Sequence, residues 1–446
     1  MKKYIMLYLL LSYTCSALAQ HVLTLDESKQ LALQNNARIK NGVLEIEASR
    51  QTRKAAVTKY FPSISASGAY FEADKNMMEI ATQGGNLPVY NGDPATLKSA
   101  TQFAYMPAAT MGLMKSGIFG MVTAVQPIFA GGRIWNGNRL AGLGEDASEW
   151  KSRLSQNEVL LKTEEQYWLV VSLHEKQKTV QRYEELLTKL LAQMKDAFVS
   201  GLVSRNDLLK VTVKRSEVLL NKSKLENGQK LAAMAFCQYI GIPYDSTLVL
   251  RDSLSVDGLP QSYYVDHSEA LHARPEYRLL QASVRAEELQ SDMKLGEYLP
   301  QAGIGITGLY MKLDDGNDRR IGMIFGTVSV PISSWWEASH TLSERSVKEE
   351  IAKNNLKDNS ELLLLQMQKA WQDVSDAYKQ IQLSQEAKSQ AEENLKLNQD
   401  SYNNGMSNLS DLLEAQALEQ QANDQFTDAK AGYRTKLIFY FQVTGR

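Results

Sequence analysis

The chain has 446 residues, carries 49 lysines and arginines against 51 aspartates and glutamates, and contains two cysteines. Its near-zero net charge gives no electrostatic signature of nucleic-acid binding, and its length allows a large core or several domains. The mixture of Ala, Leu, Glu, Lys and Gln favours helix.

Residues 1–19 have the pattern of a secretory signal peptide rather than of a folded element. A basic start precedes an apolar run over 5–11, and Ala-Leu-Ala at 17–19 is a small-x-small cleavage site. Cleavage before Cys15, as in a lipoprotein, is the less favoured alternative because the residues before it fit that signal poorly. Cleavage after residue 19 would leave Cys237 as the only cysteine, so we predict no internal disulfide.

The first half of the chain alternates helix and strand patterns. Thr24 and Glu27 fit a capping box, and the proline after Tyr60-Phe61 ends the first helix. Serines alternate with apolar or small residues beyond that proline, which is typical of a strand. In chain order we predict a helix over 24–58, a strand over 63–70, a loop over 74–116, a strand over 117–125, a long helix over 135–200 and a helix over 206–239.

The second half repeats this order with matching end signals. Tyr298-Leu299-Pro300 corresponds to Tyr60-Phe61-Pro62, and Pro331 corresponds to Pro127. We predict a helix over 268–297, strands over 303–310 and 320–328, a long helix over 337–403 and a last helix to residue 439. The chain is therefore predicted to be a duplicated unit, with a first structural repeat over 20–241, a connector over 242–267 and a second repeat over 268–446.

Two similar turns follow the long helices, at Gly201 and Gly405. In both, an aromatic residue stands three positions before the glycine, and an Asp-Leu-Leu triplet begins six positions after it. The glycine tolerates the left-handed conformation that ends a helix, so each turn is predicted to be a helical hairpin. Ser204 and Ser410, with Asn206 as an alternative, are the predicted N-caps of the helices that follow.

Apolar residues in the two long helices recur at spacings of three and four, which is the pattern of a coiled-coil seam. Such seams bury their side chains only against neighbouring helices. The first seam consists of Val180, Tyr183, Leu187, Leu190, Met194 and Ala197, and the second of Met367, Ala370, Val374, Ala377 and Ile381.

The four predicted strands have about the length that crosses a bilayer when tilted. Unpaired strand edges are costly in lipid, and four strands are too few to close a barrel, so several chains must contribute to one barrel. Aromatic residues at the strand ends fit a membrane belt, with ordinary core aromatics as the alternative. These aromatics are Tyr70, Phe71, Trp135, Tyr298, Tyr310, Trp335 and Trp336.

The duplicated order, the proline-marked strand ends and the Gly405-x5-Asp411-x2-Glu414-Ala415 motif resemble the TolC-like outer-membrane efflux factors. The resemblance covers essentially the whole chain after the signal peptide. It implies a mainly helical fold with a β-barrel part: a homotrimer with a twelve-stranded barrel in the lipid of the outer membrane and a tunnel of coiled-coil helices in the periplasm. It also implies a passive exit duct for efflux or type I secretion, partnered by a periplasmic adaptor (a membrane fusion protein) and an inner-membrane transporter.

The resemblance assigns roles to residues at the two turns. Asp411 and Glu414 match the acidic constriction of the family's tunnel, and Asp207 is their counterpart in the first half. The family commonly has Asp at the second position, so Glu414 keeps the charge on a longer side chain. The basic tip residue that acts as a gating partner in some members is missing beside Gly405. The turn residues expected to meet the adaptor are Gly201, Leu202, Val203, Ser204, Gly405, Met406 and Ser407.

No catalytic, metal-binding or phosphate-binding motif is present in the sequence, so we predict neither an enzyme nor a cofactor. His267 and His272 are expected at the surface, and the acidic pairs at 164–165 and 184–185 are expected on solvated helix faces. Two alternatives remain at this point. A soluble periplasmic coiled-coil scaffold or adaptor would not need four bilayer-length strands, and an outer-membrane enzyme would need a catalytic constellation.

Overall fold

The structure is a computed structural model that describes residues 22–446 except 91, 93, 257 and 314–317. The predicted signal peptide and Cys15 lie outside the described residues. The chain divides into two compact units, each built from several segments. The first, a helical unit, comprises Leu143–Arg285 and Glu350–Arg446 with the described part of Met1–Arg50, and the second comprises Gln51–Gly142 and Ala286–Glu349.

Helices dominate the described chain. Within the described residues, no helix combines the length and the hydropathy needed to cross a bilayer. The α-helices in chain order are α1 Leu25–Asn35, α2 Ala37–Val57, α3 Arg133–Val199, α4 Arg205–Ile240, α5 His267–Ala273, α6 Pro275–Glu297, α7 Trp335–Asn403 and α8 Leu409–Val443.

Ten strands accompany the helices within the residues that the structure describes. They are β1 Val22–Leu23, β2 Ser63–Glu72, β3 Met78–Thr82, β4 Gly85–Pro88, β5 Phe103–Met106, β6 Ala109–Leu113, β7 Ser116–Phe129, β8 Val249–Leu250, β9 Gln301–Leu313 and β10 Asp318–Ser329. The main sheet has the order β10-β9-β7-β2, and all its neighbours are antiparallel. The short strands β1 and β8 form a parallel pair in the helical unit.

Two predicted helices are each divided by a residue in extended conformation. The capping box of Thr24 and Glu27 is confirmed, but the helix predicted over 24–58 breaks at Asn36. The Asn36 side chain donates to the carbonyl of Tyr239 at 2.9 Å and accepts from the amide of Arg38 at 2.9 Å, so it holds the break in place. The helix predicted over 268–297 breaks at Arg274, because Pro275 disfavours helix in the preceding residue.

The prediction of a loop over 74–116 is wrong, because this stretch contains paired strands. Strands β3 and β6 pair over Met78–Thr82, and β4 and β5 pair over Gly85–Pro88, so two antiparallel ladders follow β2. Glycine, proline and methionine in this stretch obscured the period-two pattern on which the prediction relied.

The long helices bury the residues predicted for their seams. Every member of both seams is buried except Ala197, which is half-buried. The first seam packs in a cluster with Leu409 and Leu412, and the second packs with Tyr433, Leu437 and Tyr440. The coiled-coil prediction is therefore confirmed for these side chains.

Two polar residues predicted at the surface are buried instead. His267 is 8% exposed, and its Nε2 lies 3.3 Å from the Tyr440 hydroxyl. Burial lowers the pKa of His267 because the charged imidazolium loses its hydration. Glu164 is 5% exposed. It forms a 2.5 Å ion pair with Lys29 and accepts a hydrogen bond from Trp168 Nε1 at 3.1 Å, so its charge is compensated inside the helical unit.

Candidate functional site

The first candidate site is the turn between α3 and α4. Gly201 has a φ of +72°, which a side chain would strain. Its amide donates to the Phe198 carbonyl at 3.0 Å, and the amide of Leu202 donates to the Ala197 carbonyl at 2.8 Å. This pair of bonds is a Schellman motif, which satisfies the last carbonyls of α3.

The turn between α7 and α8 has the same backbone. Gly405 has a φ of +70°, its amide donates to the Tyr402 carbonyl at 3.0 Å, and the Met406 amide donates to the Ser401 carbonyl at 2.8 Å. Apart from the glycine and its two chain neighbours, no atom of the described residues lies within 4 Å of a Cβ placed on Gly201 or Gly405. Glycine is therefore required at both turns by backbone conformation and not by crowding.

The helices after the two turns begin with equivalent side-chain caps. The Ser204 hydroxyl accepts from the amide of Asp207 at 3.1 Å, and Asn408 Oδ1 accepts from the amide of Asp411 at 3.0 Å. The prediction for Ser204 is confirmed, whereas Ser410 is wrong as the second cap. Ser410 lies only one residue before the acid, whereas the capping oxygen must come three residues before it.

The acid after the first turn is held by neighbouring groups. Asp207 accepts a 2.7 Å hydrogen bond from the Ser204 hydroxyl, and Lys210 Nζ lies 3.6 Å from its carboxylate. The hydrogen bond from Ser204, followed by the charge of Lys210, lowers the pKa of Asp207. Lys210 Nζ also donates to the Ser410 hydroxyl at 3.1 Å, so this lysine joins the two turns. Sequence reasoning missed Lys210, although its i,i+3 spacing from Asp207 was a usable signal.

The acids after the second turn point away from the core of their own chain. Asp411 and Glu414 are exposed, whereas their helix neighbours Leu412 and Ala415 are buried. Within the part of the chain that the structure describes, neither acid belongs to an ion pair. The structure thus places both carboxylates on one exposed helix face, three residues apart.

Both turns present an apolar side chain to solvent. Leu202 is 79% exposed and Met406 is 74% exposed, and each follows its glycine directly. Ser204 and Gly405 are also exposed, whereas Val203 and Ser407 are half-buried. In a Schellman motif this position commonly packs back onto its own helix, so two exposed residues here leave apolar surface without a cover from the described chain.

The main sheet has two different faces. One face carries the cross-strand row Ile64, Ala124, Ile306 and Ile324, followed by the row Ala66, Val122, Gly308 and Gly322. Ile64 and Ile324 are 74% and 83% exposed. The opposite face carries Ser65, Thr123, Thr307 and Met323 in one row, with the Thr123 and Thr307 hydroxyls 2.8 Å apart. In these rows one face is apolar and exposed, and the other carries hydrogen-bonding side chains. Further along the strands the first face also carries Tyr310 and Arg320, and the second carries Phe119 and Met311.

The sheet also has two open edges. Within the described residues, β2 and β10 each pair on one side only, and they run antiparallel to each other. Open edges expose unpaired backbone groups that another chain can pair with.

Comparison with known proteins finds a family model that matches part of the chain and solved structures with a similar fold. Residues 267–446 match the family model described as outer membrane efflux protein. No curated protein matches the chain significantly.

The fold is similar to that of solved outer-membrane channels over 94% of this chain. The outer-membrane channel OprN matches with a TM-score of 0.76 at 13% identity, over 89% of its own chain. The open state of the Neisseria gonorrhoeae MtrE outer membrane channel matches with a TM-score of 0.73 at 15% identity, over 88% of its chain. The Campylobacter jejuni CmeC outer membrane channel matches with a TM-score of 0.71 at 15% identity, over 85% of its chain.

Proposed function

We propose that the chain is the exit duct of a tripartite efflux or type I secretion assembly, because residues 267–446 match the outer membrane efflux protein family model. The predicted resemblance to TolC-like efflux factors is confirmed, as are the mainly helical fold and a location in the outer membrane with a periplasmic part. The family and the fold are those of efflux channels and not of enzymes, and the scaffold alternative is not favoured.

The observation that carries the proposal is the pair of open, antiparallel edges of the four-stranded sheet. Four strands cannot close on themselves, whereas three copies of the sheet supply twelve strands, each β2 meeting the β10 of the next copy. Antiparallel edges support this closure. The row that contains Ile64, Ile306 and Ile324 would meet outer-membrane lipid, and the row that contains Ser65, Thr123 and Thr307 would face the lumen. The finer architecture proposed is therefore a homotrimer with a twelve-stranded barrel and a helical periplasmic tunnel.

The duplicated organisation forms part of this proposal. The first repeat would span 20–241, the connector 242–267 and the second repeat 268–446. Support comes from the element order, because each half contains a long helix, a Schellman turn and a shorter helix in succession.

The two turns would meet the periplasmic adaptor, through which the inner-membrane transporter delivers its cargo. The exposed Leu202 and Met406 support this assignment because they supply the apolar surface that a docking partner would cover. Gly201, Val203, Ser204, Gly405 and Ser407 would shape the same surface.

The acids would form the constriction of the tunnel. In a homotrimer Asp411 and Glu414 occur three times each, so six carboxylates would surround one narrow opening if their exposed helix face lines the tunnel. Asp207 would contribute to the same region from the first turn. Rings of Asp or Glu favour cations, so we expect a cation-selective channel that multivalent cations block from the periplasmic side.

Location and assembly are tested first by membrane fractionation and by native electrophoresis in mild detergent. The proposal predicts recovery in the outer membrane as a trimer. Recovery of a periplasmic monomer would contradict it and favour the scaffold alternative.

The constriction is tested by single-channel conductance in a planar bilayer. Asp411→Ala/Glu414→Ala should reduce cation preference and weaken the block by multivalent cations, with little change in stability because both groups are exposed. Glu386→Ala/Glu393→Ala removes two exposed acids from α7 and is the matched control. Identical selectivity and block in wild type and the Asp411/Glu414 variant would show that these acids only begin a helix.

A further inference from the structure

The inward-facing seam of α8 is apolar at both ends and polar in its middle. Along α8, ten residues alternately three and four positions apart are all buried or half-buried: Leu409, Leu412, Gln416, Glu419, Asn423, Phe426, Lys430, Tyr433, Leu437 and Tyr440. The first two pack in an apolar cluster with Leu187 of α3, and the last three pack in another with Val374 of α7. Polar residues at such positions weaken the packing of neighbouring helices.

Three polar atoms in or beside this middle section are buried without a hydrogen-bond partner among the described residues. They are Gln416 Oε1, Asp424 Oδ1 and the Tyr183 hydroxyl of α3. Burial, followed by the charges of Glu217 and Glu419, raises the pKa of Tyr183 to about 12, which places its hydroxyl beside this section. Unpaired buried polar atoms cost stability, so α8 is held less firmly here than by the apolar cluster at either end.

The carboxylate of Asp424 has no cation of its own. Lys176 of α3 forms its ion pair with Asp428 at 2.7 Å, and Asp424 forms none within the described residues. Burial raises the pKa of Asp424 to about 6. Lys176 opposes this shift, and the like charges of Asp428 and Glu419 add to it. Asp424 therefore ionises between mildly acidic and neutral pH, and its ionisation costs stability in the folded protein.

Glu419 is bound by a neutral side chain. Asn423 Nδ2 donates to its carboxylate and, at 3.1 Å, to its backbone carbonyl. Burial raises the pKa of Glu419, and the hydrogen bond from Asn423 opposes this shift. The other charges that act on it are those of Arg182 on α3 and of Lys388 and Glu392 on α7. Lys388 pairs with Glu392 at 3.6 Å, and within the described residues Glu419 belongs to no ion pair.

Lys430, the cation of the seam, does not compensate these acids. Its Nζ lies 4.7 Å from the centre of the Phe426 ring, and it forms no ion pair within the described part of the chain. Burial lowers the pKa of Lys430, with Glu175 opposing the shift and Lys388 adding to it. All three charged residues named in this section thus lose hydration without gaining an ion pair.

We propose that residues 413–430 of α8 form a pH-sensitive joint, which packs firmly against α3 and α7 when Asp424 and Glu419 are protonated and loosens when they ionise. The apolar clusters at both ends hold α8 in either state. Because burial raises the pKa of each acid on folding, the joint loses stability as the pH rises from the unfolded values, about 3.9 for Asp and 4.3 for Glu, through the folded ones. This inference concerns the packing of one helix and does not depend on the proposed export function.

Hydrogen exchange of the purified full-length protein in non-ionic detergent tests the proposal. Mass spectrometry resolves the exchange by peptide, and correction for the intrinsic effect of pH leaves the local opening equilibrium. Between pH 5 and pH 7.5, the protection of peptides within 413–430 should fall about three- to tenfold, the lower figure allowing for partial exposure of Asp424. Peptides within 433–443 should keep their protection.

Asp424→Asn retains the shape of the side chain but cannot ionise. It should remove most of this fall and should raise the protection of 413–430 above that of wild type at pH 7.5. Glu386→Gln, which neutralises an exposed acid of α7, is the control and should change neither.

Gln416→Leu separates the polar interruption of the seam from the ionisation. It replaces an unpaired amide by an apolar side chain, so it should raise the protection of 413–430 by a similar factor at both pH values. The fall between pH 5 and pH 7.5 should remain.

Three results would overturn the proposal. If Asp424→Asn lost protection as steeply as wild type between the two pH values, ionisation of Asp424 would not control the section. If Asp424→Asn were less protected than wild type at pH 7.5, the carboxylate would stabilise the packing. A fall of equal size along the whole of α8 would mean that the helical unit, and not a joint within it, responds to pH.

Discussion

The turn at Gly201 and the turn at Gly405 are closed by the same two backbone hydrogen bonds, yet the acids that follow them have different surroundings. Asp207 is held by Ser204 and Lys210, whereas Asp411 is exposed and shares its helix face with Glu414. A single glycine fixes the backbone in both cases because only the left-handed conformation closes the motif. The contacts of each acid depend instead on residues three positions away, which differ between the turns.

The largest difference in stability that we expect between the two turns comes from the packing beneath them. Leu412 and Leu208 hold equivalent positions, but Leu412 is fully buried whereas Leu208 is half-buried. We expect Leu412→Ala to lower the free energy of unfolding by about 2–5 kcal/mol and Leu208→Ala to lower it by clearly less. Urea denaturation followed by circular dichroism in a fixed detergent measures both. Equal losses would mean that the two turns are packed alike.

Backbone conformation is tested by replacing each turn glycine. Gly201→Ala and Gly405→Ala should each lower the free energy of unfolding by about 1–2 kcal/mol. The two losses should be equal, because the φ values are similar and the space around both glycines is open. Gly228→Ala, within α4 and equally uncrowded, is the control and should stabilise by about 0.5–1 kcal/mol. A stabilising effect of Gly405→Ala would contradict the left-handed conformation at that turn.

The turns and the long helices were predictable from the sequence because their signals are local. A glycine at a fixed distance from Asp-Leu-Leu, and apolar residues at spacings of three and four, specify short-range geometry through neighbouring residues of the sequence. The break at Asn36 was not predictable in this way. It depends on a hydrogen bond to Tyr239, a residue 203 positions later.

Burial of polar residues was likewise hidden by distance in the sequence. His267 contacts Tyr440 across 173 positions, and Glu164 pairs with Lys29 from another helix. The pairing of β3 with β6 depends on cross-strand partners rather than on period-two alternation alone. At the candidate site, sequence reasoning found both acids and both turn glycines, but it missed the link from Lys210 to Ser410 because that link joins two halves of the chain.

The caps provide a smaller test of the equivalence of the two turns. Ser204→Ala and Asn408→Ala should each lower the free energy of unfolding by about 1 kcal/mol, because each removes the acceptor of a helix N-terminal amide. Ser410→Ala is the control, since the Ser410 hydroxyl is not the acceptor for the capped amide of Asp411, and it should cost less than either. A larger loss for Ser410→Ala than for Asn408→Ala would restore Ser410 as the second cap.

The smallest expected effect is the pH dependence that Asp207 brings to the first turn. The hydrogen bond from Ser204, and then the charge of Lys210, lower the pKa of Asp207 in the folded protein. A carboxyl group with a lowered folded pKa stabilises the protein above its unfolded pKa, about 3.9, and this stability is lost as the pH falls through the folded value. Partial exposure and salt reduce its size.

Wild type should therefore lose more stability between pH 5 and pH 3 than Asp207→Asn, which lacks the titrating group. Ser204→Ala should reduce the same pH dependence, because it removes the main cause of the lowered pKa. The Ser204→Ala/Asp207→Asn variant should show no reduction beyond that of Asp207→Asn alone. Lys210→Gln should reduce it at low salt and have less effect at high salt, because only the Coulomb attraction is screened. The measurement is the urea midpoint at both pH values and at two salt concentrations. If Asp207→Asn followed wild type at every pH, the bonded carboxylate would not distinguish the first turn from the second, and the difference between the turns would lie in packing alone.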